Sequence, residues 1–255
     1  MFIDSHCHID FSEFDLDRAD VIKQCNKLGI SKLIVPGTRL AYFERQLSLA
    51  NAFPSIRNAF GLHPYFLDSY QNSHLKKLEN SIEKNLETLV ALGEIGLDKA
   101  ISIDWKLQLK VFQVQVEIAA HFELPIILHH RKSHNEIIQI LKQSQLKYGG
   151  IVHAFSGSLQ VAEAYVELGF AIGVGGGITY PRANKTRNAI QQIPVSSIVL
   201  ETDAPDMPIH GYQGLRNSPL KLPLVFDALT KLREESKEEL QEACFKNVHN
   251  HLINV

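Results

Sequence analysis

The sequence predicts an α/β fold, a (β/α)8 TIM barrel, built as a single domain over residues 1–255. Short apolar, β-branched runs recur eight times, amphipathic stretches separate them, and the chain has the length of an ordinary barrel domain. Strands that alternate with helices predict a parallel sheet. Eight such units in 255 residues fit a closed barrel.

The predicted strands are the runs in which Val, Ile, Leu and Phe cluster between turn residues. In chain order they cover 2–9, 32–37, 58–64, 88–97, 125–130, 149–157, 170–176 and 197–206, the last ending at Pro205. Apolar residues at helical spacing predict helices that include 18–29, 40–53, 104–122, 133–147 and 159–169. A final helical stretch, 226–253, is predicted to break near Ser236.

An open, doubly wound sheet is the rival fold. It would need a glycine-rich phosphate-binding turn after its first strand. This chain carries His6-Cys7-His8 at that position, and its glycine cluster at 173–178 comes only after the seventh predicted strand. The barrel is therefore the favoured fold.

The composition excludes several classes of protein. A formal net charge of -2 provides no broad basic surface for long nucleic acid, so a phosphate substrate would need local positive charge. Three cysteines without a CxxC pair and an N-terminus without a signal peptide predict a reduced, cytoplasmic protein. No apolar run approaches a membrane span of about 20 residues, and the sequence points to no obligate protein partner.

Titratable residues follow the apolar part of most predicted strands. Residues two apart in a strand share a face, so Asp4, His6 and His8 would point the same way. Because barrel active sites lie at the C-terminal ends of the strands, the polar residues at these ends are predicted to meet in one mouth. They are His6, His8, Glu94, His129, His153 and Asp203.

Four imidazoles and two carboxylates form a ligand set that suits a divalent metal ion. Six ligands exceed the four of one tetrahedral ion, but they fit two ions about 3.5–4 Å apart that share a carboxylate. A single histidine at a strand end is usually a satisfied polar residue, yet chance does not explain five strands of eight. We therefore expect one or two divalent ions per chain, with Zn, Mn, Mg, Ni and Fe all open.

Six motifs then resemble the TatD family of metal-dependent hydrolases in order and spacing over essentially the whole chain. They are Asp-Ser-His-Cys-His at 4–8, Gly-Leu-His-Pro at 61–64, Gly-Glu-Ile-Gly-Leu-Asp at 93–98, Leu-Pro-Ile-Ile-Leu-His at 124–129, His-Ala-Phe-Ser-Gly at 153–157 and Glu-Thr-Asp-Ala-Pro at 201–205. Residues 129–134 and 173–183 are similar to the YjjV-like branch of that family.

The resemblance implies an amidohydrolase-type barrel with a one- or two-metal site that hydrolyses phosphoester bonds, several family members being DNases. By position it implies one ion on His6, His8, Glu94 and Asp203, and a second on Glu94, His129 and His153. It also implies that His63 and Arg131 face substrate phosphate. The chain departs from the commoner family pattern at Lys99, Ala100 and Lys132, which rim the predicted mouth.

The predicted reaction is phosphoester hydrolysis by hydroxide formed on the ion, because a divalent ion lowers the pKa of bound water from 15.7 to about 7. Asp203 would accept the proton as the catalytic base, and Arg131 would stabilise charge on the phosphoryl oxygens. DNA ends and small phosphoesters are the expected substrates. Amide or lactone hydrolysis stays open, and so does a barrel that binds metal or nucleic acid without turnover.

Overall fold

The computed structural model describes residues 1–254, in which eight parallel strands form one sheet in the order of the chain. The strands are β1 Phe2–Asp4, β2 Ile30–Pro36, β3 Ile56–Phe60, β4 Ala91–Asp98, β5 Ile126–Arg131, β6 Gly150–Val152, β7 Phe170–Val174 and β8 Ile198–Leu200. The two edges of the sheet meet where Ser5 N donates a hydrogen bond to Leu200 O at 2.9 Å. The predicted (β/α)8 barrel is therefore confirmed.

Helices cover the outside of the barrel. They are α1 Arg18–Lys27, α2 Phe43–Ala52, α3 Ser73–Asn85, α4 Trp105–His121, α5 His134–Gln143, α6 Leu159–Glu167, α7 Asn184–Gln192, α8 Leu222–Thr230 and α9 Lys237–His251. The predicted break near Ser236 is confirmed, since a capping box there starts α9: Glu239 N donates to the Ser236 hydroxyl, and the Glu239 carboxylate accepts from Ser236 N. Within residues 1–254, no helix combines the length and apolar character needed to cross a membrane.

The amino end of the barrel interior is filled by one apolar residue from each strand, which we call the apolar layer. It consists of Ile3, Ile34, Ala59, Ala91, Ile127, Ile151, Ala171 and Val199. Helix α9 closes this end, because Val248 and Leu252 belong to the same buried cluster. A site inside the barrel must therefore open at the carboxyl ends of the strands.

Four strands end four or more residues earlier than predicted, and several site residues lie in the segments that follow them. These strands are β1, β3, β6 and β8, which end at Asp4, Phe60, Val152 and Leu200. The predicted extensions to residues 9, 64, 157 and 206 were wrong. The physical reason is that the backbone beyond these strands pairs across the mouth: Asp203 N, for example, donates to His6 O at 2.9 Å.

Candidate metal centre

The side chains predicted to meet do lie together at the carboxyl end of the barrel. Glu94 and His129 lie within β4 and β5, whereas His6, His63, His153 and the other members follow the ends of their strands. The structure brings together all six predicted ligands, and it adds His63 to the same cluster.

The first group of donors surrounds Oε2 of Glu94. Nε2 of His6 lies 3.2 Å from this oxygen and Nε2 of His8 lies 3.4 Å from it. The two ring nitrogens are 3.3 Å apart. Asp203 completes the group, because its Oδ1 is 3.5 Å from His6 Nε2 and 3.8 Å from His8 Nε2.

The second group surrounds the other oxygen of Glu94, Oε1. Nε2 of His153 lies 2.8 Å from this atom, and Nδ1 of His129 lies 3.2 Å from it. The same two histidine nitrogens are 3.3 Å apart. Glu94 thus divides its two oxygens between two groups, which is how a bridging carboxylate is arranged.

The spacing of the donors fits a metal ion. Two ligand atoms that each lie about 2.0–2.1 Å from a tetrahedral zinc ion are about 3.3 Å from each other. The distances among the donors of His6, His8 and Glu94 are 3.2, 3.3 and 3.4 Å. Within residues 1–254, three groups have ligand atoms within 4.8 Å of one another: His6, His8 and Asp203; His6, Glu94 and His153; and His63, Glu94 and His129.

The charge of the cluster also favours a bound cation. Burial alone would raise the pKa of Glu94, but the imidazoles of His153 and His63 hold that pKa well below its ordinary value. Burial alone would lower the pKa of His153, but the charges of Glu94 and Asp203 raise it to about 10. A divalent ion would satisfy the same carboxylates, and it would displace this proton because histidine ligands must be deprotonated.

His63 differs from the other imidazoles in its hydrogen bonding. Its Nδ1 accepts a hydrogen bond from Tyr65 N at 3.1 Å, so the proton of the neutral ring is on Nε2. That Nε2 lies 3.2 Å from Glu94 Oε1 and is placed to donate to it. Burial lowers the pKa of His63 to about 4, which keeps the ring neutral. This geometry favours His63 as a hydrogen-bond donor at the site over His63 as a metal ligand.

Asp203 is the most exposed of the first group and has an unusual backbone. Its φ angle is 54°, in the left-handed region that few residues other than glycine adopt. Such conformations cluster at functional sites. Its side chain is 13% exposed at the mouth, and burial raises its pKa above the ordinary value. A raised pKa makes Asp203 a better proton acceptor than a solvated aspartate.

Asp4 does not point with His6 and His8, so the prediction from a shared strand face was wrong at this residue. Its Oδ2 accepts a hydrogen bond from the Thr202 hydroxyl at 2.6 Å, and its Oδ1 accepts from Thr202 N at 3.0 Å. Because β1 ends at Asp4, the two histidines follow the strand and turn into the mouth separately. Asp4 instead ties the His6 segment to the segment that carries Asp203.

Asp98 orients His129 from outside the two groups. Its Oδ2 lies 3.3 Å from His129 Nε2, which leaves Nδ1 of the ring directed at Glu94. The other carboxylate oxygen of Asp98 accepts from Ala100 N at 2.7 Å, which fixes the carboxylate itself. Outer partners of this kind set the tautomer and the direction of a histidine ligand.

Glu201 supports His153 through the backbone rather than through the ring. Its Oε1 accepts a hydrogen bond from Ala154 N at 2.5 Å, directly after His153 in the chain. The side chain is fully buried, and Gly173 makes the room for it: a Cβ on Gly173 would lie 2.4 Å from Glu201 Oε2. The first residue of the glycine cluster therefore serves close packing in β7.

Two buried glutamines of α4 hold the neighbouring strand ends, and the sequence analysis did not find them. Gln115 Oε1 accepts from Leu62 N at 2.7 Å and its Nε2 donates to Leu62 O at 3.1 Å, next to His63. Gln108 makes the same pair of bonds with the backbone of Asp98, at 2.9 and 3.0 Å. The sequence does contain a pattern that indicates them. The two glutamines are seven residues apart on an apolar helix face, and buried amides there need hydrogen-bond partners.

The cluster forms the floor of a cavity of about 620 Å³, which we call the mouth. Phe11, Tyr65 and Phe66 line one side of it. Arg131 and Met207 line it elsewhere, and both side chains are exposed. The structure therefore places Arg131 where a bound anion could reach it.

Comparisons with known proteins agree with this geometry. Residues 3–252 match the family model described as TatD related DNase. The chain is 42% identical to the metal-dependent hydrolase YjjV of Escherichia coli K12, over 100% of this chain and 98% of that one, and the YjjV crystal structure matches with a TM-score of 0.96 over the same shares. It is 30% identical to the 3'-5' ssDNA/RNA exonuclease TatD of Erwinia billingiae, over 92% of this chain and 93% of that one.

Proposed function

The chain belongs to the TatD family of metal-dependent hydrolases, and we propose that it hydrolyses phosphoester bonds, with nucleic-acid ends among its substrates. The observation that carries the proposal is the division of Glu94 between two groups of donors. Two ions about 3.5–4 Å apart form a clamp for the attacking and leaving oxygens of a phosphoryl displacement. The exonuclease relative supports the substrate class.

In this proposal each of the two groups holds one ion. The first ion would lie among His6, His8, Glu94 and Asp203, and the second among Glu94, His129 and His153. The chemistry that a divalent ion supplies when bound is the acidification of water and the polarisation of a phosphoryl oxygen. Asp98 and Glu201 keep the donor atoms of His129 and His153 in place.

The remaining steps fall to side chains of the mouth. Asp203 turns Oδ1 towards His6 and His8, and we assign its second carboxylate oxygen as the acceptor of the proton that the attacking water loses. Arg131 donates to the phosphoryl oxygens, because its planar guanidinium matches the geometry of phosphate. His63 carries a proton on Nε2, and this N–H acts as a hydrogen-bond donor at the floor of the mouth.

We also propose that the whole chain, residues 1–255, acts as one catalytic domain in the cytoplasm. Its three cysteines are buried and free, as a reducing compartment favours.

The test is metal analysis of the purified protein, followed by assays with each divalent metal restored. The substrates are a simple phosphodiester, a single-stranded oligonucleotide, an amide and a lactone. We expect the wild type to bind metal and to hydrolyse the phosphodiester. The double variant His6→Ala/His8→Ala should lose bound metal and activity together.

A matched control removes two histidines with the same spacing outside the site, as His249→Ala/His251→Ala. This variant should keep both metal and activity. Unchanged metal content in the His6/His8 variant would contradict the metal assignment. Turnover of the amide or lactone without any phosphodiester turnover would replace the proposed reaction by the alternative one.

A further inference from the structure

The mouth has an aromatic side that the proposed reaction does not use. Phe11, Tyr42, Tyr65 and Phe66, together with Arg39, form what we call the aromatic wall. Its members come from the segments that follow β1, β2 and β3, and three of them, Phe11, Tyr65 and Phe66, line the mouth. The Tyr65 residue is 60% exposed, although a large aromatic ring in water is unfavourable.

The rings of the wall form two contacting pairs, which Arg39 joins. Phe11 lies 5.9 Å from Tyr42 between ring centroids, and Tyr65 lies 5.2 Å from Phe66. Arg39 joins the two pairs, because its guanidinium stacks 4.6 Å from the Tyr42 ring and 4.1 Å from the Phe66 ring. These two cation–π contacts restrain the orientation of the Tyr42 and Phe66 rings.

The wall reaches the floor of the mouth at two points. Phe11 stacks on the candidate ligand His8, with ring centroids 4.6 Å apart and planes at 17°. Phe66 lies 5.8 Å from His63 between ring centroids. A ligand whose planar part stacks on the wall would therefore place its neighbouring part over the candidate metal centre.

We propose that the aromatic wall stacks one unpaired nucleobase, the base next to the scissile phosphate of single-stranded nucleic acid. This inference rests on the proposed function and names its substrate class. Aromatic side chains that stack bases supply affinity for single strands independently of charge. With a net charge of -2, long-range attraction for a polyanion is weak, so stacking would add to the affinity that Arg131 and the metal centre provide locally. Phe11, Tyr65 and Phe66 line a cavity of about 620 Å³, which is large enough for one nucleobase to lie against these rings.

The experiment compares thymidylyl-thymidine with its two analogues that lack either the 5′ or the 3′ base, using the metal-loaded protein. We expect the wild type to lose about 5- to 150-fold in kcat/KM on one of the two abasic analogues, the effect of losing one stacked base. The variant Tyr65→Leu/Phe66→Leu should lose that preference, so that its kcat/KM on the dinucleotide and on the sensitive abasic analogue should be about equal.

Two controls separate stacking from general damage. Tyr65→Phe keeps a ring and should keep the preference. Tyr148→Leu removes another exposed tyrosine, one that precedes β6 at the opposite end of the barrel, and should change nothing. An equal preference for the base in the wild type and the Leu/Leu variant would overturn the proposal, as would a wild type with no preference.

Binding of a dinucleotide that contains 2-aminopurine gives a second measurement, since stacking quenches its fluorescence. Quenching in the wild type but not in the Leu/Leu variant would support the wall even if no phosphoester were hydrolysed, and the proposed function alone would then fail. A wild type that hydrolyses a simple phosphodiester but neither cleaves nor quenches the dinucleotide would overturn the wall alone.

Discussion

The two ends of the barrel interior differ in kind, although the same strands build both. The amino end holds the apolar layer, with one aliphatic side chain from every strand. Two residues further along the same faces, Ile127 is followed by His129, Ile151 by His153 and Val199 by Glu201. A distance of two residues along the chain thus separates the apolar layer, which stabilises the fold, from the polar residues of the candidate metal centre.

The polar end has a cost that the apolar end must offset. The Nδ1 atoms of His6, His8 and His153 are buried without a hydrogen-bond partner. An unpaired buried polar group costs about 1–3 kcal/mol. Substitutions at the carboxyl end should therefore change activity more than stability, and substitutions in the apolar layer should do the reverse.

The largest effect is expected for Asp203→Asn at the carboxyl end. Asn offers a carbonyl oxygen to a metal but cannot accept a proton as a base, so kcat should fall roughly 10²–10⁴-fold. The fold should remain, because Asn tolerates the left-handed backbone with φ of 54° at this position. Measuring kcat and bound metal on one sample checks this. Activity per bound metal equal to the wild type would reduce Asp203 to a ligand.

The next effect is expected in the apolar layer, for Ile151→Ala. The side chain is fully buried, so its truncation should lower the free energy of unfolding by about 2–5 kcal/mol, measured by denaturant titration. The milder Ile151→Val should lower it by about 0.5–1.5 kcal/mol. Both variants should keep the wild-type kcat per folded molecule. A loss of kcat comparable to that of Asp203→Asn would show that the two ends are not separable.

A smaller effect is expected between the two ends, for Asp98→Ala. This change removes the carboxylate that lies 3.3 Å from His129 Nε2. Loss of such an outer partner typically lowers metal affinity or activity about 10–100-fold. Metal titration by calorimetry measures it, with Asp98→Asn as the variant that keeps an acceptor oxygen and should lose less. Equal losses in the two variants would mean that packing, not the hydrogen bond, orients His129.

The sequence was sufficient for the architecture and for which side chains converge at the mouth, but not for where strands end. Alternation of apolar runs with helical stretches depends on local residues, and so does the placement of charged residues after those runs. Strand termination depends on distant partners: the bond from Asp203 N to His6 O joins residues at the two ends of the chain. No local pattern could show that Asp4 would turn to Thr202.

The aromatic wall was missed for a related reason. Phe and Tyr near the ends of strands are typical of a buried core, and only the arrangement of three loops shows that Phe11 and Phe66 line the mouth and that Tyr42 contacts Phe11. Arg39 belongs to the same group, although no sequence pattern predicted a role for it. Side chains whose function depends on how neighbouring loops are arranged are the hardest part of a barrel site to predict from the sequence.

The smallest effect is expected from salt, and it tests how far the charge of the polar end extends. Among residues 1–254, Arg131 is the one Arg or Lys that lines the cavity itself, because Arg39 packs on Tyr42 and Phe66 and is not part of the lining. Affinity for a single strand falls with salt with a log–log slope of about −0.7 per neutralised phosphate, so one or two contacts predict a slope of about −0.7 to −1.4. Between about 50 and 200 mM salt, the KM for a single-stranded oligonucleotide should then rise only roughly 3- to 7-fold. Arg131→Gln should flatten the slope further, whereas Arg57→Gln, on β3 away from the mouth, should not. A steep slope retained in Arg131→Gln would mean that a basic surface outside the mouth holds the strand, and the carboxyl end of the barrel would no longer account for binding.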